Sequence, residues 1–217
     1  MSIKQAYNSW AEQYDSSDNK TRDLDAFATK ETLSKYKFKN VLELGCGTGK
    51  NTLWLLDKAE LIIGLDFSSE MLNIAKEKIN ASNVEFVKTD LNNEWEVENE
   101  FVDLVTSSLT LEHIESLHHI FRQANEKLHE KGIFFISELH PLKQYAESKA
   151  RYETESGTEE LTVYTHHISD YLESARDNGF ELVELNEWFD NEEERDFPRL
   201  ISFVFKKKNQ SKTKNSG

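Results

Sequence analysis

The sequence predicts an α/β protein in which helices cover a mainly parallel sheet. Apolar, strand-like runs alternate with stretches of helical spacing along most of the chain. One run, Val41–Leu44, leads directly into three glycines within five residues. Another run, Leu61–Leu65, is almost continuously apolar and is followed by Asp66. This pattern is typical of a buried parallel strand.

Composition narrows the class of protein further. The 217 residues suit one domain with a sizeable core, and the single cysteine, Cys46, has no partner for an internal disulfide. The net charge of −14 argues against a nucleic-acid partner, because phosphate backbones attract basic proteins. The sequence lacks a run of about 18 apolar residues and a secretory pattern at its N-terminus. We therefore expect a cytoplasmic protein, a monomer or homodimer, that binds neither nucleic acid nor membrane.

Two helices are expected ahead of the glycine segment. Apolar and aromatic residues recur at helical spacing over Ile3–Tyr14 and again over Leu24–Tyr36, with a polar loop between them. We assign residues 1–36 to a helical cap and residues 37–208 to the main domain. Residues 209–217, in a polar segment with several lysines, are expected to form a flexible tail.

The glycine segment predicts a strand, a tight turn and the start of a helix. Glycines lack the Cβ atoms that would hold a ligand away from the backbone, and a helix N-terminus offers free N–H groups. A phosphate-binding P-loop would need glycine at Leu44 and serine or threonine at Asn51. The dinucleotide fingerprint would need glycine at Lys50. The pattern that fits is Glu-x-Gly-x-Gly-x-Gly, from Glu43 to Gly49.

This pattern resembles the first motif of class I S-adenosylmethionine-dependent methyltransferases, in their small-molecule, type 11-like branch. The resemblance spans nearly the whole chain. It implies a Rossmann-like, doubly wound, mainly parallel sheet of seven strands with an antiparallel last strand and an N-terminal helical cap. It also implies transfer of a methyl group from S-adenosyl-L-methionine to a small-molecule acceptor. Two alternatives stay open: a non-catalytic S-adenosylmethionine-binding protein, and a nicotinamide oxidoreductase, which the Lys50 mismatch disfavours.

The resemblance also implies which residues contact the cofactor. In the glycine loop these are Glu43, Gly45, Cys46, Gly47 and Gly49. Around the adenine they are Phe67, Met71, Asp90 and Leu91, and at the end of the fourth strand Ser107. In the N-terminal region, Tyr14 and Arg22 are the candidates for the methionyl carboxylate and Tyr7 for the acceptor side.

Asp66 is the cofactor residue that spacing supports most directly. It follows Gly45 by 21 residues, where nucleoside-binding α/β folds place an acid that binds both ribose hydroxyls. A helix cap is the alternative role, although Ser68 and Ser69 could cap equally well. Asp90 has a similar alternative as an ordinary carboxylate at the end of a strand.

The remaining elements alternate as the fold class requires. Strands are predicted over Val84–Lys88, Phe101–Ser108, Gly132–Glu138, Phe180–Trp188 and Leu200–Lys206, and helices over Asn51–Lys58, Glu70–Ile79, Glu115–His129 and Ser169–Gly179. Ser169 is the predicted N-cap of the last helix. The last two strands are predicted to pair as an antiparallel hairpin.

The acceptor site is predicted in the long polar segment after the strand that ends at Glu138. This segment is too long for an ordinary connection, and it follows the edge of the sheet where ligands bind. His140 and His166 are the candidate bases, because histidine accepts protons near neutral pH. Arg151 and Tyr164 are the candidate substrate-binding residues. No metal is expected, since the histidines lack further ligands at metal-binding spacing.

Overall fold

The computed structural model describes residues 19–145, 151–154, 157–160, 163–191, 193 and 195–209, with the strands at 151–154 and 157–160 described by their backbone. The helices are α1 (Lys20–Leu33), α2 (Lys50–Leu55), α3 (Ser69–Lys78), α4 (Leu117–Lys127), α5 (Pro141–Tyr145) and α6 (Ile168–Asp177), with a 3-10 turn at Leu111–His113. The strands are β1 (Asn40–Leu44), β2 (Leu61–Asp66), β3 (Val84–Lys88), β4 (Val102–Ser108), β5 (Leu128–Leu139), β6 (Arg151–Thr154), β7 (Gly157–Glu160), β8 (Phe180–Trp188) and β9 (Leu200–Lys207).

Seven strands form one sheet in the order β3-β2-β1-β4-β5-β9-β8. Neighbours from β3 to β5 are parallel, whereas β9 runs antiparallel to both β5 and β8. The predicted seven-stranded, mainly parallel sheet with a reversed last strand is confirmed. The strand order reverses between β1 and β4, so a crevice opens at the carboxyl ends of these strands, where such folds bind ligands.

The sheet is buried on both faces because its central strands are apolar on both sides. On β5, Phe134 and Ile136 belong to one core cluster, whereas Ile133 and Phe135 belong to the other. The first cluster includes Phe121, whose ring contacts Phe134 at 5.1 Å between centroids. Two packed layers therefore hold the strand ends in place, and the candidate site is built on those ends.

Helix α1 begins earlier than predicted. The side chain of Asn19 accepts a hydrogen bond from the N–H of Arg22 at 3.0 Å, so the helix starts at Lys20 and not at Leu24. Arg22 therefore lies in the first turn of a helix, where the sequence predicted a loop. The helix ends at Leu33 and packs against β5 and β9. This part of the predicted cap is thus packed on the sheet, while the helix predicted over Ile3–Tyr14 lies outside the described residues.

Two further corrections concern the C-terminal half. A hairpin, β6–β7, occupies part of the segment that the sequence predicted as a long connection. Helix α6 has His167 as its N-cap residue, so the prediction that Ser169 caps it is wrong. The Asp170 carboxylate accepts a hydrogen bond from the His167 N–H at 2.8 Å, and this bond fixes the start of the helix one residue before Ser169. Within the described residues, no helix is long and apolar enough to cross a membrane.

Candidate active site

The glycine loop joins the end of β1 to the start of α2. Gly45, Gly47 and Gly49 have φ angles of 67°, 54° and 80°, a region that side chains disfavour. Gly45 is also constrained by packing, since a Cβ atom there would lie 2.2 Å from Oγ1 of Thr110. A Cβ atom at Gly49 would lie 2.7 Å from Cδ1 of Ile79, the far end of a flexible side chain, so packing constrains Gly45 more than Gly49.

Asp66 ends β2 with its carboxylate turned back onto this loop. Oδ2 accepts a hydrogen bond from the Gly47 N–H at 2.9 Å, and Oδ1 accepts one from the Ser68 N–H at 2.8 Å. Burial raises the pKa of Asp66, and these backbone donors act in the opposite direction. The hydroxyl of Ser68, not Asp66, caps α3 by accepting from the Met71 N–H. The helix-cap alternative for Asp66 is therefore wrong.

Glu43 and Cys46 are buried beneath the loop. The Glu43 carboxylate accepts a hydrogen bond from the Thr52 hydroxyl at 2.5 Å, and burial raises its pKa to about 7. The Cys46 N–H donates to the Leu65 carbonyl at 3.0 Å, which joins the loop to β2. Burial raises the pKa of the Cys46 thiol well above its ordinary value, so it is not a reactive thiolate.

A recess opens on the α1 side of the loop. Its walls include Arg22, Glu43, Gly45, Cys46 and Gly47, which the sequence analysis assigned to the cofactor, together with Asp25, Asn51 and Ser108. The structure thus brings the first-motif residues together with Arg22. Tyr7 and Tyr14, the other candidates from the N-terminal region, lie outside the described residues.

Asp25 is a site residue that the sequence analysis missed. It is 4% exposed, and its Oδ2 lies 3.3 Å from the donating amide nitrogen of Asn51. Burial raises its pKa to about 6. The sequence does contain an indication of this site, because Arg22 and Asp25 are three residues apart and would share one face of a helix. The spacing does not reveal the pair when the helix is predicted to begin at Leu24, because Arg22 then lies in the preceding loop.

Of the residues assigned to the adenine, Phe67 follows β2, Met71 lies in the first turn of α3, and Asp90 and Leu91 follow β3. Met71 and Leu91 are buried, and Phe67 is half-buried. Asp90 is exposed, and its Oδ1 accepts hydrogen bonds from the backbone and side-chain nitrogens of Asn92. Asp90 therefore stabilises the turn after β3 in this structure, the alternative role that the sequence left open for it.

Ser107 lies at the carboxyl end of β4 between Leu44 of β1 and Ile136 of β5. Its side chain is fully buried, and its hydroxyl makes no hydrogen bond to the described residues. The side chain therefore points away from solvent. In this position, Ser107 can contribute to the crevice through its backbone.

The two candidate bases differ in their surroundings. Nδ1 of His140 accepts a hydrogen bond from the Leu142 N–H at 3.1 Å, so Nε2 carries the proton and faces Glu187 at 3.0 Å. Both ring nitrogens are thus engaged, and burial lowers the pKa of His140. This geometry argues against His140 as a proton acceptor and favours a structural role that holds the start of α5 near β8.

His166 keeps one nitrogen available. Its Nε2 lies 3.1 Å and 2.7 Å from the carbonyl oxygens of Leu111 and Ile114, so it donates to them. Its Nδ1 then carries the lone pair and makes no hydrogen bond within the described part of the chain. Nearby, the Tyr164 N–H donates to the Glu112 carbonyl at 2.8 Å. Arg151 begins β6, and its side chain lies outside the described residues.

Glu112 and Glu138 are two further acids that the sequence analysis did not assign to the site. Oε1 of Glu138 accepts hydrogen bonds from the N–H groups of Thr110 and Leu111, at 2.9 and 2.8 Å. Burial raises the pKa of Glu138 to about 8 and that of Glu112 to about 7. Glu138 thereby fixes the turn after β4 against the end of β5. In the described residues, no group of acids, histidines or cysteine has the arrangement of a metal site.

Comparison with known proteins agrees with this geometry. A family model described as a methyltransferase domain matches residues 42–136, from β1 to the middle of β5. An uncharacterised methyltransferase of Emericella nidulans is 28% identical over 84% of this chain and 77% of its own length. A malonyl-[acyl-carrier protein] O-methyltransferase of Acetivibrio thermocellus is 32% identical over 53% of this chain and 40% of its own.

Solved structures extend the similarity to the whole fold. An S-adenosylmethionine-dependent methyltransferase of Listeria monocytogenes superposes with a TM-score of 0.75 at 22% identity, covering 87% of this chain and all of that one. The complex of DhpI with S-adenosylhomocysteine superposes with a TM-score of 0.73 at 20% identity, covering 95% of each chain. The family model, the relatives and the solved structures together support a class I S-adenosylmethionine-dependent methyltransferase. The comparisons therefore favour a methyltransferase over the two alternatives, a non-catalytic S-adenosylmethionine-binding protein and a nicotinamide oxidoreductase.

The site of this methyltransferase fits its cofactor, S-adenosylmethionine. At Gly47 a Cβ atom would meet nothing within 4 Å, so the backbone of the loop is open to a ligand there. Asp66, held by two backbone N–H groups, has the chemistry that ribose hydroxyls need. The recess beside the loop carries side chains of both signs, Arg22 and Asp25, which suits the amino-acid end of the cofactor.

Proposed function

We propose that this methyltransferase transfers a methyl group to a small-molecule acceptor. The observation that carries the proposal is the acidic character of the protein, which has a net charge of −14 and four acids buried near the carboxyl edge of the sheet: Asp25, Glu43, Asp66 and Glu138. A net charge of this sign and size repels a phosphate backbone. A compact acceptor without a chain of phosphates is not repelled in this way and can enter the crevice. We further propose that the enzyme works in the cytoplasm as a monomer or homodimer.

We infer the following cofactor contacts. Asp66 binds the ribose hydroxyls, and the loop of Gly45, Gly47 and Gly49 lies against the nucleoside. Phe67, Met71, Asp90 and Leu91 surround the adenine, and the backbone at Ser107 binds near the methionyl amino group. Arg22, together with Tyr14, binds the methionyl carboxylate. The positions of the glycine loop, Asp66, Asp90 and Ser107 at the ends of β1, β2, β3 and β4 support these roles, as does the burial of Asp66, Met71 and Leu91.

In methyl transfer the protein mainly binds the cofactor and the acceptor and orients them relative to each other. The cofactor supplies a methyl group bonded to a positively charged sulfur, which is the reactive centre when it is bound. The chain must hold the acceptor atom in line with that methyl, at about 3–3.5 Å, and keep water out. We propose that Tyr7, Arg151 and Tyr164 contact the acceptor. Where the acceptor must lose a proton, we propose Nδ1 of His166 as the base, since both nitrogens of His140 are engaged.

The test uses methyl-labelled S-adenosylmethionine and an extract that contains metabolites, protein and nucleic acid. The expected result is label in the low-molecular-weight fraction, and much less of it with the Asp66→Ala variant when the cofactor is below saturation. Label confined to macromolecules would contradict the small-molecule acceptor but leave methyl transfer intact. Comparison with an extract stripped of small molecules provides the control.

A further inference from the structure

Asp25 and Arg22 place opposite charges on one face of α1. They are three residues apart in the helix, so their side chains leave it on the same side. Both are almost completely buried, at 4% and 9% exposure, and both line the recess beside the glycine loop. A pair of opposite charges in a recess of this kind suits a ligand that is itself a zwitterion.

Asp25 forms no ion pair with the residues that the structure describes, and the charge of Lys50 has only a minor effect on its pKa. Its Oδ2 accepts a hydrogen bond from Asn51 at 3.3 Å, whereas its Oδ1 has no partner at hydrogen-bonding distance among the described residues. Burial raises the pKa of Asp25 and outweighs the hydroxyls of Ser137 and Ser108, which lie near enough to lower it. Lys50 lies nearby, but its ammonium group contacts the exposed carboxylate of Asp23 at 2.9 Å and the Arg22 carbonyl at 3.3 Å. A buried carboxylate with an unused oxygen is unfavourable, and a cation bound in the recess would relieve that cost.

Glu43 is less available to such a cation than Asp25. Its Oε2 is held by the Thr52 hydroxyl at 2.5 Å. The two acids are close enough for the charge of Asp25 to contribute to the raised pKa of Glu43. A positive group bound at Asp25 would therefore stabilise both carboxylates, and Asp25 would provide the free oxygen that binds it.

The orientation of the cofactor follows from the two sides of the glycine loop. The acid suited to the ribose, Asp66, lies on the β2 side, whereas the recess lies on the β4 and α1 side. A ligand whose ribose binds at Asp66 and which crosses the loop must bring its amino-acid end to the recess. That end carries one carboxylate and one ammonium group.

We propose that the Asp25 carboxylate binds the α-ammonium group of the methionyl end of S-adenosylmethionine, opposite Arg22. Asp25 and Arg22 together then recognise the zwitterion by both of its charges. The inference rests on the cofactor orientation given under the proposed function. It adds a binding residue from α1, outside the region that the methyltransferase family model matches.

The test compares three ligands by calorimetry: S-adenosylhomocysteine, its analogue without the α-amino group, and 5′-methylthioadenosine, which lacks the whole amino-acid end. Asp25→Asn keeps the shape of the side chain and removes its charge. We expect it to weaken S-adenosylhomocysteine binding at least about tenfold and to leave the other two ligands within about twofold. The matched control is Asp23→Asn, which removes an exposed charge from the same turn of α1 and should change none of the three affinities.

The outcomes separate this inference from the proposed function. If the wild-type protein does not bind S-adenosylhomocysteine, the proposed cofactor site fails. If it binds and Asp25→Asn weakens all three ligands equally, or none, Asp25 does not contact the ammonium group. An unchanged cofactor affinity with a raised KM for the acceptor would assign Asp25 to the acceptor and overturn the inference. Thermal melting checks the fold, and Asp25→Ser repeats the test if the asparagine variant is unstable.

Discussion

The α-carbon of Gly45 packs directly against the side chain of Thr110, so that a methyl group at position 45 would lie 2.2 Å from Oγ1 and 2.6 Å from Cγ2 of Thr110. Thr110 in turn donates from Oγ1 to the Ser108 carbonyl at 3.0 Å, and its N–H is held by Glu138. The first glycine of the motif is therefore required by the turn after β4, independently of any ligand.

The first prediction concerns this contact. Gly45→Ala should lower the free energy of unfolding by more than 2 kcal/mol, roughly 1 from the positive φ and the rest from the clash. Gly179→Ala is the control, because its φ is also positive, at 76°, but a methyl there would meet only the Asn125 amide at 3.4 Å. Urea denaturation measures both. Equal losses in the two variants would show that the contact with Thr110 costs nothing, and adding Thr110→Ala should restore part of the loss in Gly45→Ala.

The second prediction concerns Asp66. Asp66→Ala should weaken S-adenosylhomocysteine binding about tenfold to a hundredfold, because a carboxylate that accepts two hydrogen bonds is lost. It should also loosen the loop, since the Gly47 N–H loses its partner. Calorimetry at a temperature where the variant is folded measures the affinity. Asp57→Ala, on an exposed position, is the control, and an unchanged affinity in Asp66→Ala would move the ribose site elsewhere.

The third prediction concerns pH. The pKa of Glu138 is about 8 in the folded chain against an ordinary 4.5, so between these values the folded state holds a proton that the unfolded state has released. The free energy of unfolding should therefore fall as pH rises through this window. Glu138→Gln mimics the protonated form and keeps an oxygen for Thr110 and Leu111. It should melt higher than the wild type at pH 8, and its melting temperature should vary less with pH.

Glu181→Gln, at an exposed position on β8, is the control for this experiment and should keep the pH dependence of the wild type. A smaller slope should remain in Glu138→Gln, because the pKa values of Asp25, Glu43 and Glu112 are also raised. If Glu138→Gln melts lower than the wild type at pH 8, Glu138 is charged in the folded protein and contributes as a carboxylate.

The fourth prediction separates the two histidines. His166→Ala should lower turnover while leaving S-adenosylhomocysteine affinity within about twofold, a difference of some 0.4 kcal/mol. His140→Ala should mainly lower the melting temperature, because it removes the contacts to Leu142 and Glu187. His118→Ala, at an exposed position, serves as the control. Normal turnover in His166→Ala with the identified acceptor would show that no base is needed there, whereas a selective loss in His140→Ala would reverse the assignment.

Several elements could be predicted from the sequence to the residue. The bounds of β2, β3 and β8 match the predicted Leu61–Asp66, Val84–Lys88 and Phe180–Trp188. In β2 this success follows from a nearly continuous apolar run, and in the others from alternation next to turn-forming residues. The position of the glycine loop could also be predicted, because few residue types other than glycine can adopt its backbone angles.

Other features depend on contacts that a local pattern does not contain. The start of α1 is set by the side chain of Asn19, one of several polar residues that could have capped it. The strands β6 and β7 are short and polar, so they carry no apolar alternation. Asp25 and Glu138 gain their significance from burial under distant parts of the chain, and the contact of His140 Nε2 depends on Glu187 of β8.

The position of β9 between β5 and β8 has a consequence for how the protein is made. Because β8 precedes β9 in the chain, a growing polypeptide emerges from the ribosome with β8 complete and without the strand that joins it to the rest of the sheet. Until residues 200–207 arrive, the edge of β5 is unpaired and the surface that Phe203 and Phe205 will cover is open. Nascent chains that stall in this interval should depend on chaperones for solubility, and those that have passed it should not.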